Sequence, residues 1–214
     1  MASIHAASPA IPFERLLARL KSFPAPVFNP GKAYDASLSD SIASQYLHPA
    51  LEALMHLLNQ DLASAHFLVR HMQAPPAYES MYVHGILHRI EGDYDNARAW
   101  YSNVSDWEGF TKFWGPPTDR PGEEAGQKVP RQQRARDFLD RIEKCAGSGG
   151  HQGEELESLQ SESRAELESL LDWCLERLGT AMHKDATKDW VKPTEELKRM
   201  GEDQVSGSAG PRNF

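Results

Sequence analysis

Apolar residues recur at helical spacing through most of this chain. The first such group predicts a helix with Pro12 in its first turn; its members are Phe13, Leu16, Leu17 and Leu20. The stretch "SFPAPVFNPG" then carries three prolines and a glycine, which predicts a connector. We therefore expect residues 1–36 to form an N-terminal helix followed by a Pro-rich connector.

The segment after this connector predicts four helices joined by very short turns. "SLSD", from Ser37 to Asp40, has capping-box spacing and predicts a short helix that carries Ile42 and Tyr46. His48-Pro49 opens the strongest periodic block, whose apolar positions are Leu51, Leu54, Met55 and Leu58. Short turns between helices favour antiparallel neighbours.

Capping residues predict the other three helices of this segment. Asp61 caps a second helix that ends before Ala74-Pro75-Pro76. A third helix runs from about Tyr78 to Ile90, and Gly92 ends it. Asp93 caps a fourth helix, through about Val104.

The second half of the chain predicts two longer helices separated by flexible segments. Trp107, Phe110 and Trp114 continue at helical spacing, as a last turn or an aromatic plug. A loop is expected at 115–130, then a helix over "RQQRARDFLDRIEKCAG", and a Gly-rich linker at 147–153. An acidic helix follows from about Glu154 to Leu178, with its docking stripe in its second half. Its acidic run is interpreted as a solvated face or, alternatively, as a contact for a basic partner.

These elements together predict one all-α domain over residues 37–182. Residues 183–214 contain few large apolar residues and are expected to be largely disordered. No segment shows the alternation of a strand. Of the two cysteines, we interpret Cys174 as a core thiol and Cys145, at a helix end, as exposed.

Charge and composition exclude several classes of protein. The 214-residue chain has a formal net charge of −8, and nucleic-acid binding needs a basic surface, so we expect no nucleic-acid partner. Two unpaired cysteines suit a reducing compartment. No secretory signal or apolar run of about 20 residues is present, so we expect a cytoplasmic protein without a membrane span.

Residues 49–104 resemble two tetratricopeptide-like helix pairs. In those repeats, small residues mark the helix crossing and an aromatic residue fills the groove beside it. Here Gly85, Ala97 and Tyr101 occupy these positions, and Ala65 lies 32 residues before Ala97, close to a repeat length of about 34. The chain departs from the pattern where it places Met81, His84 and His88 instead of an aromatic residue, a leucine and a tyrosine.

The same stretch is similar to a group of uncharacterised fungal and bacterial proteins with an H-R-x-E-x-D-x-x-N-A-type signature. It reads here as "HRIEGDYDNA", from His88 to Ala97. The resemblance implies no reaction.

Three ionisable residues share one face of the predicted third helix: His84, His88 and Glu91, at i, i+4 and i+7. Two imidazoles and a carboxylate can hold a divalent metal, to which His66 or His71 would add a ligand. Alternatively, His84 or His88 acts as a general base that Glu91 orients. The competing interpretation is that both histidines pack against the fourth helix and hydrogen-bond to Asn96 or to each other.

Four other residues are candidates for binding: Tyr82, Arg89, Asn96 and Trp100. Arg89 lies off both faces of the third helix, where it either lines a concave groove with Tyr82 and holds a carboxylate, or is a solvated surface residue. Asn96 also suits the first turn of a helix that Asp93 caps, and Trp100 suits a helix-packing position.

The leading functional prediction is a helical scaffold that holds a protein or peptide in a groove. The repeat spacing supports it, together with the lack of a Gly-rich phosphate loop, a nucleophile elbow or an HExxH motif. The alternative is an all-α enzyme or small-molecule-binding protein with a His-rich pocket on the helix at 78–91. Nothing in the sequence calls for a cofactor.

Overall fold

The computed structural model describes residues 11–115, 131–149 and 153–191. Every regular element in these ranges is helical, as the sequence predicts. The α-helices are α1 (Phe13–Lys21), α2 (Ser39–Ala43), α3 (Pro49–Leu58), α4 (Leu62–Val69), α5 (Tyr78–Glu91), α6 (Tyr94–Asn103), α7 (Glu108–Trp114), α8 (Arg131–Gly147) and α9 (Glu154–Leu178). Two 3₁₀ turns cover Ala36–Leu38 and Ala186–Asp189. Within these ranges, no helix is long and apolar enough to cross a bilayer.

Local capping explains where α4 and α6 begin and where α5 ends. The Asp61 carboxylate accepts the Ser64 N–H at 3.2 Å and starts α4, and Asp93 accepts the Asn96 N–H at 3.3 Å and starts α6. Gly92 ends α5 with a φ of 89°, in the left-handed region that glycine enters without strain. These boundaries follow the predicted ones, although α4 is shorter than expected at eight residues.

The helices α3 and α4 pack on each other, as do α5 and α6, and α4 also contacts α5. The crossing of α5 and α6 is close because Gly85 has no side chain. A Cβ atom at Gly85 would lie 2.8 Å from Tyr101 Cδ1 and 3.0 Å from Trp100 Cβ. Gly85 and Tyr101 therefore have the packing roles that their spacing predicts.

The long helix α9 completes the core. It packs against α3, α7 and α8, and it buries an apolar stripe that contains Leu159, Leu167, Leu170, Leu171 and Cys174. Ser163 and Glu166 are also buried, so the prediction of a solvated acidic face is wrong at Glu166. Cys145 is likewise buried rather than exposed, whereas Cys174 is in the core as predicted.

Two local predictions near α2 require correction. The backbone N–H of Ser37 donates to the Asp35 side chain at 3.0 Å. Asp35, and not Ser37, therefore caps the 3₁₀ turn before α2. Tyr46 follows the end of α2 with a positive φ of 52° and an exposed ring, so it is not a helical packing residue.

Residues 183–191 pack against the helices, contrary to the predicted disorder. The His183 N–H donates to the Tyr46 carbonyl at 2.6 Å, and the Val191 N–H donates to the His71 carbonyl at 2.9 Å. Trp190 stacks on His71 with ring centroids 4.4 Å apart. The remainder of the predicted tail (192–214), residues 1–10, 116–130 of the predicted loop and 150–152 of the predicted linker lie outside the described residues.

Candidate functional site

Three histidines converge where α4 meets α5: His66 from α4, and His84 and His88 from successive turns of α5. We call them the histidine cluster. The Nε2 atoms of His66 and His84 lie 3.0 Å apart. One ligand nitrogen from each of the three rings lies within 4.8 Å of the others. Helical spacing places His84 and His88 on one face, and the packing of α4 on α5 adds His66.

Glu91, one turn beyond His88 on α5, lies beside two of the three rings. Its Oε1 atom is 3.3 Å from His66 Nδ1, and its Oε2 atom is 3.5 Å from His88 Nδ1. One carboxylate therefore bridges α4 and α5 across the histidine cluster, and it can orient both imidazoles.

Aromatic stacking fixes the rings of the two α5 histidines. His84 stacks on Trp100 of α6 with centroids 4.6 Å apart, and on His88 with centroids 4.8 Å apart. His84 is only 3% exposed, whereas the side chain of His66 is 36% exposed. The cluster is thus closed at α6 and open to solvent at His66.

The surroundings of His84 keep its imidazole neutral. Burial is the main cause, and the neighbouring His88 and His66 add to it; together they lower the pKa of His84 to about 2. Neutral imidazole is the form that binds a metal ion or accepts a proton.

Asn96 and Asp93 connect the cluster to the start of α6. Asn96 Nδ2 lies 3.3 Å from both His88 Nε2 and Asp93 Oδ2. The Asp93 carboxylate also lies 3.8 Å from His88 Nδ1. His88 therefore has the contact with Asn96 that the packing interpretation predicts, and it also belongs to a cluster of three histidines.

His71 does not join the cluster, because its ring stacks on Trp190 instead. Trp100 contacts His84 directly, and no sequence pattern predicts this pairing. Of the sequence candidates, the structure thus brings together His66, His84, His88, Glu91, Asn96 and Trp100.

Arg89 and Tyr82 lie in a separate buried network. Arg89 is 0% exposed, and its Nη2 donates to Glu166 Oε2 at 3.0 Å. The hydroxyls of Tyr82 and Tyr101 donate to Glu166 Oε1 at 2.9 and 2.6 Å. The prediction that Arg89 is on the surface or lines an open groove is wrong, because α9 covers this face and supplies the carboxylate from within the chain.

Glu166 is the residue that sequence reasoning missed. The signal lies in the buried stripe of α9, where Leu159, Ser163, Glu166 and Leu170 follow each other at intervals of three and four residues. A carboxylate inside an apolar stripe needs a buried cation or hydrogen-bond donors. Such a Glu therefore predicts a buried partner such as Arg89.

No protein-family model, no curated protein and no solved structure matches this chain. Its function is accordingly argued from the geometry of the site.

Proposed function

We propose that the histidine cluster binds a divalent transition-metal ion, with Zn²⁺ as the best-suited species. The observation that carries this proposal is the convergence of three imidazoles, two of whose Nε2 atoms are 3.0 Å apart. Two nitrogens bound at 2.0–2.1 Å to one tetrahedral zinc ion lie about 3.3 Å apart. The His66–His84 separation is close to that value, and a ring nitrogen of His88 lies within 4.8 Å of the ligand nitrogens of both.

The position of Glu91 supports a metal site more than a simple packing contact. Metal-bound histidines usually donate their second ring N–H to a carboxylate, which fixes the ring and strengthens the ligand. Glu91 is within 3.5 Å of the Nδ1 atoms of both His66 and His88. A carboxylate of this kind also offsets part of the charge of a bound dication.

Three protein ligands leave one position of a tetrahedral metal open to water. Zinc in such a site lowers the pKa of bound water to about 7, which makes a nucleophile available at neutral pH. The partial exposure of His66 provides an approach from solvent. If the protein is an enzyme, metal-assisted hydrolysis is the class of reaction that this site suits.

The direct test is calorimetric titration of Zn²⁺ into chelator-treated protein. We expect one Zn²⁺ site per chain. His66→Ala and His84→Ala should each reduce the Zn²⁺ affinity by at least about a hundredfold, because each variant loses an imidazole that binds the metal directly. His66→Ala is the safer variant, because that side chain is partly exposed. His71→Ala is the matched control, since it removes a nearby histidine outside the cluster. Equal affinity in the His66 and His71 variants would rule out the site.

We also propose that the α3–α4 and α5–α6 pairs are degenerate tetratricopeptide-like repeats. The close Gly85–Tyr101 crossing supports this pairing. The scaffold function predicted from the same spacing remains a proposal, and its groove cannot be the one expected around Arg89 and Tyr82, which α9 covers.

A further inference from the structure

A groove of about 420 Å³ opens between α2, α3 and α4, lined by residues other than the histidine cluster. Its walls are formed by Ala43 of α2 and by Ala63, Phe67 and Leu68 of α4. Glu52 of α3 also lines it, and Asp40 contributes a second acid from α2. The groove thus combines apolar walls with carboxylates.

Glu52 lacks the cationic partner that a largely buried carboxylate normally has. Its side chain is only 16% exposed, and its one ion-pair contact among the described residues is with His56, at 4.0 Å. Burial alone raises the pKa of Glu52 to about 7. A nearby cation lowers the pKa of a carboxyl group, whereas burial without one raises it. The ionised form of Glu52 is therefore destabilised in the free protein.

His56 does not supply the missing charge. Its Nδ1 atom lies 3.2 Å from Asp61, and burial lowers the pKa of its imidazole, so that the ring is largely neutral near pH 7. Asp61 itself accepts hydrogen bonds from Ser39 Oγ and the Ser64 N–H at the start of α4. Of the two groove acids without a cationic partner among the described residues, Glu52 is largely buried and Asp40 is exposed.

The walls suit an aliphatic chain. Phe67 is 57% exposed, and Leu68 lies beside it in the wall of the groove. None of the residues that line the groove is a lysine or an arginine. Arg70 lies over the Phe67 ring at 4.2 Å, but it is not part of the lining. Lysine and arginine side chains combine an apolar stem with a cationic end, which is the complement of this surface.

We propose that this groove binds a lysine or arginine side chain of a partner peptide. The cationic end pairs with the Glu52 carboxylate, and the methylene stem packs against Phe67 and Leu68. This site is independent of the proposed metal site. It gives the predicted scaffold function a location and a partner chemistry.

The test is a titration of isotope-labelled protein, followed by NMR, with two peptides of equal length. The peptides are acetyl-Ala-Lys-Ala-amide and its norleucine counterpart, which keeps an aliphatic stem without the charge. We expect resonances of Ala63 and Phe67 to shift with the lysine peptide. The norleucine peptide should bind at least about tenfold more weakly, since it cannot pair with Glu52. Equal binding of the two peptides would contradict the proposal.

Two variants separate Glu52 from the general acidity of the surface. Glu52→Gln keeps the shape and removes the charge, so we expect at least about a tenfold loss of lysine-peptide affinity. Asp40→Asn removes an exposed charge from the same groove and is expected to change affinity less than about threefold, because exposed pairs contribute little. A larger loss in Asp40→Asn than in Glu52→Gln would overturn the assignment.

A third arm distinguishes a peptide from a free amine. Butylamine has a similar stem and charge but no peptide backbone. Weaker binding of butylamine than of the lysine peptide supports a peptide partner, whereas equal or tighter binding contradicts it.

Because a bound cation favours ionised Glu52, lysine-peptide affinity should also rise from pH 6 to pH 8. The other titratable groups around Glu52 are His56, Asp40 and Asp61. A flat profile would contradict pairing with Glu52.

Discussion

At the scale of single residues, two glutamates with opposite surroundings explain much of the molecule. Glu166 is sealed in the core, where it accepts hydrogen bonds from Arg89, Tyr82 and Tyr101. Glu52 lies at the edge of the core, and its one ion-pair contact within the described ranges is with His56, at 4.0 Å. A buried charge with partners stabilises the folded state only while the partners remain. A buried charge without them destabilises it.

Replacing Glu166 should therefore be costly. We expect Glu166→Gln to lower the free energy of unfolding by about 3–5 kcal/mol, because it leaves the buried Arg89 guanidinium without a counter-ion. Glu162→Gln, on the same helix, breaks a pair with Arg141 at 2.7 Å whose carboxylate is 23% exposed, and it should cost no more than about 1 kcal/mol. Urea denaturation of the two variants measures the difference. Similar costs would show that Glu166 is not the centre of a buried network.

Replacing Glu52 should have an effect that depends on pH. The pKa of Glu52 is about 7 in the folded protein, above its ordinary value of 4.5. The unfolded chain therefore loses this proton first, and Glu52 costs stability increasingly as the pH rises from about 4.5 to 7, with the full cost above 7. We expect Glu52→Gln to gain stability relative to the wild type, on the order of 2 kcal/mol, between pH 5 and pH 8. Thermal denaturation of the variant and the wild type at pH 5 and at pH 8 measures this stability difference. A stability difference that does not change with pH would be inconsistent with this pKa.

Sequence reasoning identified residues on one helix better than residues that meet across helices. His84, His88 and Glu91 follow from helical periodicity, which needs only neighbouring positions. Which histidine of the preceding segment joins them depends on how α4 is rotated against α5. The sequence therefore left two candidates for the third ligand, His66 and His71. Arg89 was misplaced because its partner Glu166 is 77 residues away, and no local pattern joins them.

At the scale of elements, helix ends and crossings follow local chemistry closely. Asp61, Gly92 and Asp93 mark boundaries that the structure confirms, since a cap acts within a few residues of itself. The short helix before α3 was less well predicted. Asp35 lies outside the predicted capping box, but it caps the turn there, and the α-helix starts at Ser39.

The crossing of α5 and α6 offers a test at this scale. Gly85→Ala improves helix propensity by about 1 kcal/mol, but it places a methyl group 2.8 Å from Tyr101. We expect a net loss of stability of about 1–2 kcal/mol, since overpacking of a close crossing outweighs propensity. Gly147→Ala, where an added methyl group meets no atom within 4 Å, is the control and should be neutral or stabilising. Chemical denaturation compares them; a stabilised Gly85→Ala variant would mean that the crossing tolerates a side chain.

At the scale of the whole molecule, α9 turns two short helix pairs into a closed core. Two helix pairs alone leave apolar faces exposed, which other elements must cover. Here α9 packs on α3, α7 and α8, and its Glu166 pairs with Arg89 on α5. The sequence predicted the bounds of α9, but the buried stripe begins in the first half of the helix, at Leu159, and not only in the second half. The sequence also did not predict that this helix occupies the face expected to bind a partner. The docking of residues 183–191 was missed for the same reason, since its contacts are distant in sequence.

With that face covered by α9, the proposed functions lie at two other places. One is the histidine cluster, which is open at His66, and the other is the groove at Glu52. The two proposals make independent predictions, because the metal site rests on three imidazoles and the groove on one unpaired carboxylate. The metal site is the central claim, because it accounts for the convergence of three imidazoles from two helices.

Zinc K-edge X-ray absorption of the Zn²⁺-loaded protein tests that claim most directly. We predict a first shell that contains three imidazole nitrogens at about 2.0–2.1 Å, recognised by the outer-shell scattering of the rings. The His66→Ala variant should lose one imidazole from that shell, and the His71→Ala variant should give the wild-type spectrum. A first shell of oxygen atoms alone, or one unchanged by His66→Ala, would contradict the proposed metal site.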